Sequence, residues 1–103
     1  MLRAVRPPSV ALGIIAAVPR ISEFYGIVIE MYYGDHPPPH FHARYGGESA
    51  KIEITSGEVI AGSLPGRALR LVREWIEAHR GELESNWERA VRHKKPQPIH
   101  PLR

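Results

Sequence analysis

The chain has 103 residues, which is enough for one domain with a single modest core, and its 43% hydrophobic and 24% charged residues are ordinary for a globular protein. It has no cysteine, which excludes disulfides and thiolate metal sites, so any metal site must use histidine, carboxylate or backbone oxygen ligands. The formal net charge of +3 lies mainly in residues 67–103, which carry nine basic and five acidic groups. A basic region of this size is compatible with RNA, DNA or an acidic partner but requires none of them.

Residues 1–17 are expected to be a non-native or disordered extension of the domain. They contain two arginines and then an apolar stretch that is too short to span a bilayer. The segment loosely resembles a secretory signal, but Pro7 and Pro8 precede the apolar stretch and the sequence around Val18 is a poor cleavage site. The preferred interpretation is a start codon assigned too early, with translation beginning at Val18.

The next part of the chain predicts an antiparallel meander of four strands. Two segments alternate strictly between apolar and polar residues, and the first segment is rich in β-branched and aromatic residues. Glycine-containing pairs, Gly46 with Gly47 and Ser56 with Gly57, are typical of hairpin turns. The four segments are FYGIVIEMYY (24–33), HFHARY (40–45), SAKIEIT (49–55) and EVIAGSL (58–64).

These turns fix a register that can be tested against the apolar pattern. Between the second and third strands, the predicted pairs on the apolar face are Ala43 with Ala50 and Phe41 with Ile52, and Tyr45 is predicted to face Glu48 beside the turn. The same register predicts, on the opposite face, His40 across from Glu53 and His42 across from Lys51. For the outer strands, the predicted pairs are Ile54 with Val59, Ile52 with Ala61, Tyr33 with Phe41, and Glu30 with Arg44.

Two C-terminal helices are predicted to cover the apolar face of the sheet. The first, 64–81, has Pro65 in a position suited to a first helical turn and Gly81 in a position suited to a C-terminal cap. The second, 82–93, has apolar residues at helical spacing. The fold class is therefore α+β, with one domain over residues 18–92 and a proline-rich flexible tail over 93–103.

The opposite face of the sheet carries the residues that are best suited to metal binding or catalysis. His40 and His42 are two residues apart on a strand and so project to the same side. Such a pair is a suitable base for a metal site, with His36 or Glu53 as a third ligand, and imidazole with carboxylate suits a divalent transition metal such as zinc. Asp35 lies in the adjacent loop.

Two other interpretations of this face stay open. His40 and His42 could act as acid and base in cleavage of RNA without a metal, with Arg44 holding phosphate charge. The alternative without chemistry is a solvated face whose histidine–glutamate and glutamate–arginine pairs stabilise strand pairing by fractions of a kcal/mol.

The blocks FYGI and PPPHFHA, together with the stretch TSGEVIAGSLPGRALRLVREWIEAHRGEL, resemble the short bacterial family called domain of unknown function 4160. The resemblance covers about residues 19–90, and its motif positions here are Phe24, Tyr25, Gly26, His36, Pro37, Pro38, Pro39, His40, Phe41 and His42. Family members typically begin near the position of Pro19, which supports the early-start interpretation of residues 1–17.

The resemblance implies no established activity. It does imply a cytoplasmic protein with a small protein partner encoded by a neighbouring gene, because genes of this family often lie in pairs similar to toxin–antitoxin pairs. The function expected here is therefore an interaction or regulatory component of such a pair, with the histidine-bearing face as its working surface. The alternative is an RNA-cleaving or metal-dependent hydrolytic enzyme that uses His40 and His42.

Overall fold

The computed structural model of the chain describes residues 18–103, in which five strands form one antiparallel sheet and are followed by one long helix. The strands pair in chain order, so the sheet is a simple meander. The elements are β1 (Arg20–Phe24), β2 (Ile27–Glu30), β3 (His40–Tyr45), β4 (Glu48–Glu53), β5 (Val59–Gly62) and α1 (Gly66–Val91). The α+β class and the meander are as predicted, but the prediction of four strands and two helices is wrong.

The additional strand arises from a turn that the sequence analysis placed inside a strand. Tyr25 and Gly26 both have positive φ, 51° and 81°, and Phe24 pairs directly with Ile27. Positive φ at both central residues is the conformation of the two-residue hairpin turn that matches strand twist. The segment 24–33 is therefore not one strand, since β1 ends at Phe24 and β2 begins at Ile27.

The predicted register is correct for the central pair of strands. His40 lies opposite Glu53, His42 opposite Lys51, and the apolar partners are those predicted. The predicted partners on either side are wrong: Glu30 lies opposite His42, and Ile52 lies opposite Val59. The register of β4 against β5 also shifts between Lys51 and Ile52, because their partners are Ala61 and Val59 and Ile60 is left unpaired. The connection between these two strands is longer than the predicted two-residue turn. The Gly57 N–H donates to the Glu53 carbonyl there.

The two predicted helices are one helix with a kink. The backbone of His79 is not helical (φ −134°, ψ 21°), and the chain then continues as helix through Gly81, the predicted cap, to Val91. Buried side chains before the kink and after it belong to the same core, so the helix stays on the sheet instead of reversing in a turn. They are Ala68, Val72, Trp75, Ile76, Leu83, Trp87 and Ala90.

The core lies between the helix and the apolar face of the sheet, as predicted. Trp75 is fully buried, and its indole lies 5.3 Å from the ring of Phe24 and 5.8 Å from that of Phe41, the latter edge-to-face. Such aromatic pairs contribute about 0.5–1.5 kcal/mol beyond the area they bury. Trp75 therefore joins the middle of the helix to the first and third strands.

The C-terminal segment differs from the flexible tail expected for residues 93–103. The Ile99 N–H donates to the Ile21 carbonyl, and the Asn86 side chain makes two hydrogen bonds to the backbone of Gln97. The Trp75 Nε1–H also donates to the His100 carbonyl. These bonds to buried groups hold the segment against the helix and the edge strand β1.

The expectation for residues 1–17 lies outside the described residues. Within residues 18–103, no helix is long and apolar enough to cross a membrane.

The close approach of β4 and β5 at Gly62 generates the first testable prediction. Gly62 has a φ of 74°, and a Cβ added there would lie 2.2 Å from the Ser49 carbonyl oxygen. Gly46 also has positive φ, 59°, but a Cβ there meets nothing within 4 Å. We expect Gly46→Ala to cost about 1 kcal/mol, from φ alone, and Gly62→Ala to cost about 2–4 kcal/mol, because the overlap adds to it. Urea unfolding of both variants measures the difference, and equal costs would contradict the close approach.

Candidate metal centre

The loop between β2 and β3 is held at both ends by backbone hydrogen bonds. The Gly34 N–H donates to the Ala90 carbonyl near the end of the helix, and the Pro39 carbonyl accepts from the Ile54 N–H. The three prolines at the end of this loop, Pro37 to Pro39, lack N–H groups and have restricted φ. The loop therefore presents Asp35 at a fixed position beside the start of β3.

The Asp35 carboxylate is the centre of the candidate site. Its Oδ2 atom lies 3.0 Å from Nε2 of His40 and 3.2 Å from Nε2 of His42. Its Oδ1 atom accepts a hydrogen bond of 2.9 Å from the His36 backbone N–H, which orients the carboxylate. One oxygen atom thus faces two imidazole nitrogens.

His40 is buried, in contrast to the outward-facing position predicted from strand alternation. Its side chain is 3% exposed, and its ring lies 5.3 Å from the indole of Trp87 on the helix. Its Nδ1 lies 2.7 Å from the Pro38 carbonyl oxygen. A carbonyl oxygen only accepts hydrogen bonds, so Nδ1 carries a hydrogen in this arrangement.

That hydrogen leaves two states for Nε2 of His40. If Nε2 also carries a hydrogen, it donates to Asp35 and the ring is a buried cation. If Nε2 carries no hydrogen, its lone pair faces the negatively charged oxygen of Asp35. A cation between the two atoms is then needed to offset the repulsion between the lone pair and the carboxylate. The second state is the arrangement of a metal ligand whose other ring nitrogen is held by a second hydrogen bond.

His42 is less buried and is held on its other side by an aromatic ring. Its side chain is 13% exposed, and its imidazole stacks on Tyr32 with ring centres 3.8 Å apart and planes within 8°. The stacking and the Asp35 contact together restrict rotation of the ring. His42 is therefore positioned from both sides.

The burial and charges of the cluster shift the pKa values of two of its members. For His42, burial lowers the pKa below its ordinary 6.5, the nearby His40 and Lys51 add to this, and the hydrogen bond with Asp35 opposes it. For Asp35, burial alone would raise the pKa, but hydrogen bonds from His42 and His36 outweigh it and leave the pKa below 3.8. Near neutral pH the site therefore contains a neutral His42 beside an ionised carboxylate.

The spacing of the three side chains fits a metal ion. Asp35, His40 and His42 each offer a ligand atom, and these atoms all lie within 4.8 Å of one another. Ligand bonds of about 2.0–2.1 Å around a tetrahedral zinc ion separate neighbouring ligand atoms by about 3.3 Å. The two separations from Asp35, 3.0 and 3.2 Å, are close to that value.

The other residues predicted for this site lie outside the cluster. The His36 side chain is exposed, and its contact with Asp35 is made by the backbone. Glu53 is across from His40 in the register, but its carboxylate accepts a hydrogen bond from the Ser56 hydroxyl. Sequence reasoning placed Asp35 in the neighbouring loop without assigning it as a ligand. The signal for it was an acidic residue two positions before the proline run.

Arg44, predicted to hold phosphate charge, is paired with a glutamate. Its guanidinium donates to both carboxylate oxygens of Glu30, at 3.1 and 3.0 Å, and these hydrogen bonds raise the pKa of Arg44 further. The two residues are diagonal neighbours, because Glu30 lies directly opposite His42. Such a bidentate pair fixes the Arg44 side chain beside the cluster.

The lowered pKa of His42 predicts a pH-dependent contribution to stability in the metal-free protein. The unfolded chain binds a proton more readily than folded His42, so this contribution is complete above pH 6.5 and is lost as pH falls through the lowered pKa. We expect the difference in unfolding free energy between the wild type and His42→Gln to shrink below pH 6.5. Urea unfolding over a pH series measures it. His100→Gln, at an exposed histidine, is the control, and a constant difference for His42→Gln would contradict the prediction.

Comparison with known proteins agrees with the sequence motifs at this site. The family described as Domain of unknown function (DUF4160) matches residues 26–88, which is more than half of the chain and includes both histidines. Neither the curated proteins nor the solved structures include a significant match. The resemblance read from the sequence is thereby confirmed, and the chain belongs to the DUF4160 family.

Proposed function

We propose that this protein binds a divalent transition-metal ion, zinc first among the candidates, through Asp35, His40 and His42. The observation that carries the proposal is the single Asp35 oxygen within 3.2 Å of two imidazole nitrogens. His40 supports it further, because its Nδ1 hydrogen is held by Pro38 and its Nε2 faces the carboxylate. Imidazole and carboxylate are ligands that zinc and other divalent transition metals accept in proteins.

The protonation of the site also suits a metal. Metal ions bind neutral imidazole and ionised carboxylate, so groups that already have these forms need release few protons. Burial lowers the pKa of His42, and the net shift lowers that of Asp35. Near neutral pH His42 is therefore uncharged and Asp35 is ionised, which are the charges that metal binding requires.

The proposed metal site would also support a hydrolytic reaction. Three protein ligands leave at least one coordination position for water, and a divalent ion lowers the pKa of bound water toward neutrality. The enzyme proposed here is therefore a metal-dependent hydrolase in which His40 and His42 hold the ion. The interaction of Arg44 with Glu30 supports a positioning role for Arg44 beside the site.

A protein partner is a second proposal, and a separate observation favours it. Tyr32, which stacks on His42, is 39% exposed and is one of three large hydrophobic residues exposed within 18–103. Tyrosine is enriched in protein interfaces because it combines a large apolar ring with a polar hydroxyl. We propose that the face around Tyr32 contacts the product of a neighbouring gene in a pair similar to a toxin–antitoxin pair.

Zinc titration of protein purified without a histidine tag tests the metal site. We expect one equivalent of zinc per wild-type chain, measured by calorimetry, and affinity reduced at least about a hundredfold in Asp35→Asn and His42→Gln, since each loses a direct ligand. His36→Gln and Glu53→Gln are matched controls, because both side chains lie outside the cluster. A wild-type chain that binds no zinc, iron, nickel or manganese overturns the proposal, as does an equal loss in the control variants.

Co-purification with the neighbouring gene's product tests the partner proposal. We expect the complex to form with the wild type and with Tyr25→Ala, since Tyr25 is exposed at the β1–β2 turn away from the cluster. Tyr32→Ala is expected to weaken the complex about tenfold or more, as loss of an aromatic interface residue does. A complex that is equally stable in both variants, or that never forms, would count against this face as the interface.

A further inference from the structure

A depression on the open face of the sheet adjoins the candidate metal centre. It has a volume of about 170 Å³ and lies over β3, β4 and β5. The residues that line it are His42, Ser49, Ala50, Lys51, Ala61 and Gly62. His42 is thus shared between the depression and the cluster with Asp35.

The depression exists because β5 has very small residues at this point. Ala61 lies directly opposite Lys51, and Gly62 lies opposite Ala50. Directly paired residues lie on the same face of a sheet, so Ala61 is the β5 residue that borders the space beside Lys51. That space is open because the side chain of Ala61 is a single methyl group.

Lys51 supplies an ammonium group at the wall of this depression. It lies directly across from His42, and its charge is one of the causes that lower the pKa of His42. Among residues 18–103, no carboxylate forms an ion pair with Lys51. Glu53, two residues along the same strand, accepts from Ser56 instead.

A comparison of Arg44 with Lys51 indicates which of the two side chains is available to bind an anion from solution. The Arg44 guanidinium makes two hydrogen bonds to Glu30, whereas the half-buried Lys51 has a small, open space beside it. A lysine ammonium with a neighbouring hydroxyl residue is a common phosphate-binding combination, and Ser49 is one of the residues that line the depression.

We propose that this depression binds the phosphoryl group of a phosphate ester, with Lys51 as its main contact. This proposal rests on the proposed function in one respect. An ester held in the depression lies beside the proposed metal ion, so phosphate esters would be the substrate class of the hydrolase. Binding of the phosphoryl group itself depends on Lys51 and the open space, and so it persists in the metal-free protein.

Titration of the metal-free protein with inorganic phosphate, followed by amide NMR, tests the proposal. We expect saturable shifts centred on Ser49, Lys51 and Gly62, and affinity about tenfold weaker in Lys51→Met, which corresponds to one lost charge contact. Ala61→Leu, at an exposed position, fills the depression and is expected to abolish the shifts. Lys94→Met removes the same charge from the exposed C-terminal segment and is expected to leave binding unchanged.

The same readout identifies the source of the phosphoryl group. Tighter binding of a short single-stranded RNA than of adenosine 5′-monophosphate assigns a phosphodiester strand, and the reverse order assigns a free monoester. Absence of saturable shifts with phosphate and with both esters, or equal weakening by Lys51→Met and Lys94→Met, overturns the proposal.

Failure of this inference and failure of the metal site are separable. Lys51→Met is expected to keep one equivalent of zinc, because Lys51 is outside the cluster. Asp35→Asn is expected to lose zinc but to keep the phosphate shifts in the metal-free protein. Zinc binding without phosphate binding rejects only the depression, and phosphate binding without zinc binding rejects only the metal centre.

Discussion

The contact between Asp35 and the two histidines of β3 is the interaction on which the arrangement of the proline loop depends. The loop leaves the sheet after β2 and returns at His40, and its Asp35 carboxylate contacts both histidine side chains of β3. Backbone bonds to Ala90 and Ile54 fix the two ends of the loop, and between them the Asp35 carboxylate and the Pro38 carbonyl hold it against His40.

The helix contributes to the same site from the other direction. Trp87 packs against the His40 ring, and the Ala90 carbonyl, one turn further on, accepts the Gly34 N–H. Both residues lie beyond the kink at His79, so the second half of the helix has to remain on the sheet for the site to form. The packing of Leu83 and Trp87 into the common core keeps it there. The kinked helix is therefore part of the site as well as of the core.

Sequence reasoning predicted the features that depend on strict alternation and failed where the backbone departs from it. The β3–β4 register follows from two short turn residues and an alternating pattern, and it is correct at every predicted pair. The turn at Tyr25 was missed because tyrosine rarely has positive φ and is common in strands. The register shift between Lys51 and Ile52 could not be inferred, because nothing in the residue types of β5 marks Ile60 as an extra, unpaired residue. His40 was assigned to the outward face because alternation carries no information about a helix that reaches the end of a strand.

For the candidate site, the alternating pattern of β3 identified His40 and His42, which are two of the three clustered residues. The third residue, Asp35, is placed there by the path of the loop. A register across strands pointed to Glu53, whereas the path of the prolines brings Asp35 closer to His40. The two-residue alternation of a strand carries no information about the conformation of a loop. It therefore could not favour Asp35 over Glu53 as the third residue.

Stability alone does not account for this cluster. Replacing a buried ionic pair with apolar residues of similar volume is often neutral or stabilising by about 1–4 kcal/mol, so burying Asp35 against His40 is a weak source of stability. One imidazole and the His36 N–H would already satisfy the carboxylate. The second imidazole adds burial that disfavours its own protonated form, as the lowered pKa of His42 indicates. Two imidazoles at one oxygen therefore exceed what holding the loop requires, which is an argument for the proposed metal ion, and the open space beside Lys51 adjoins the same cluster through His42.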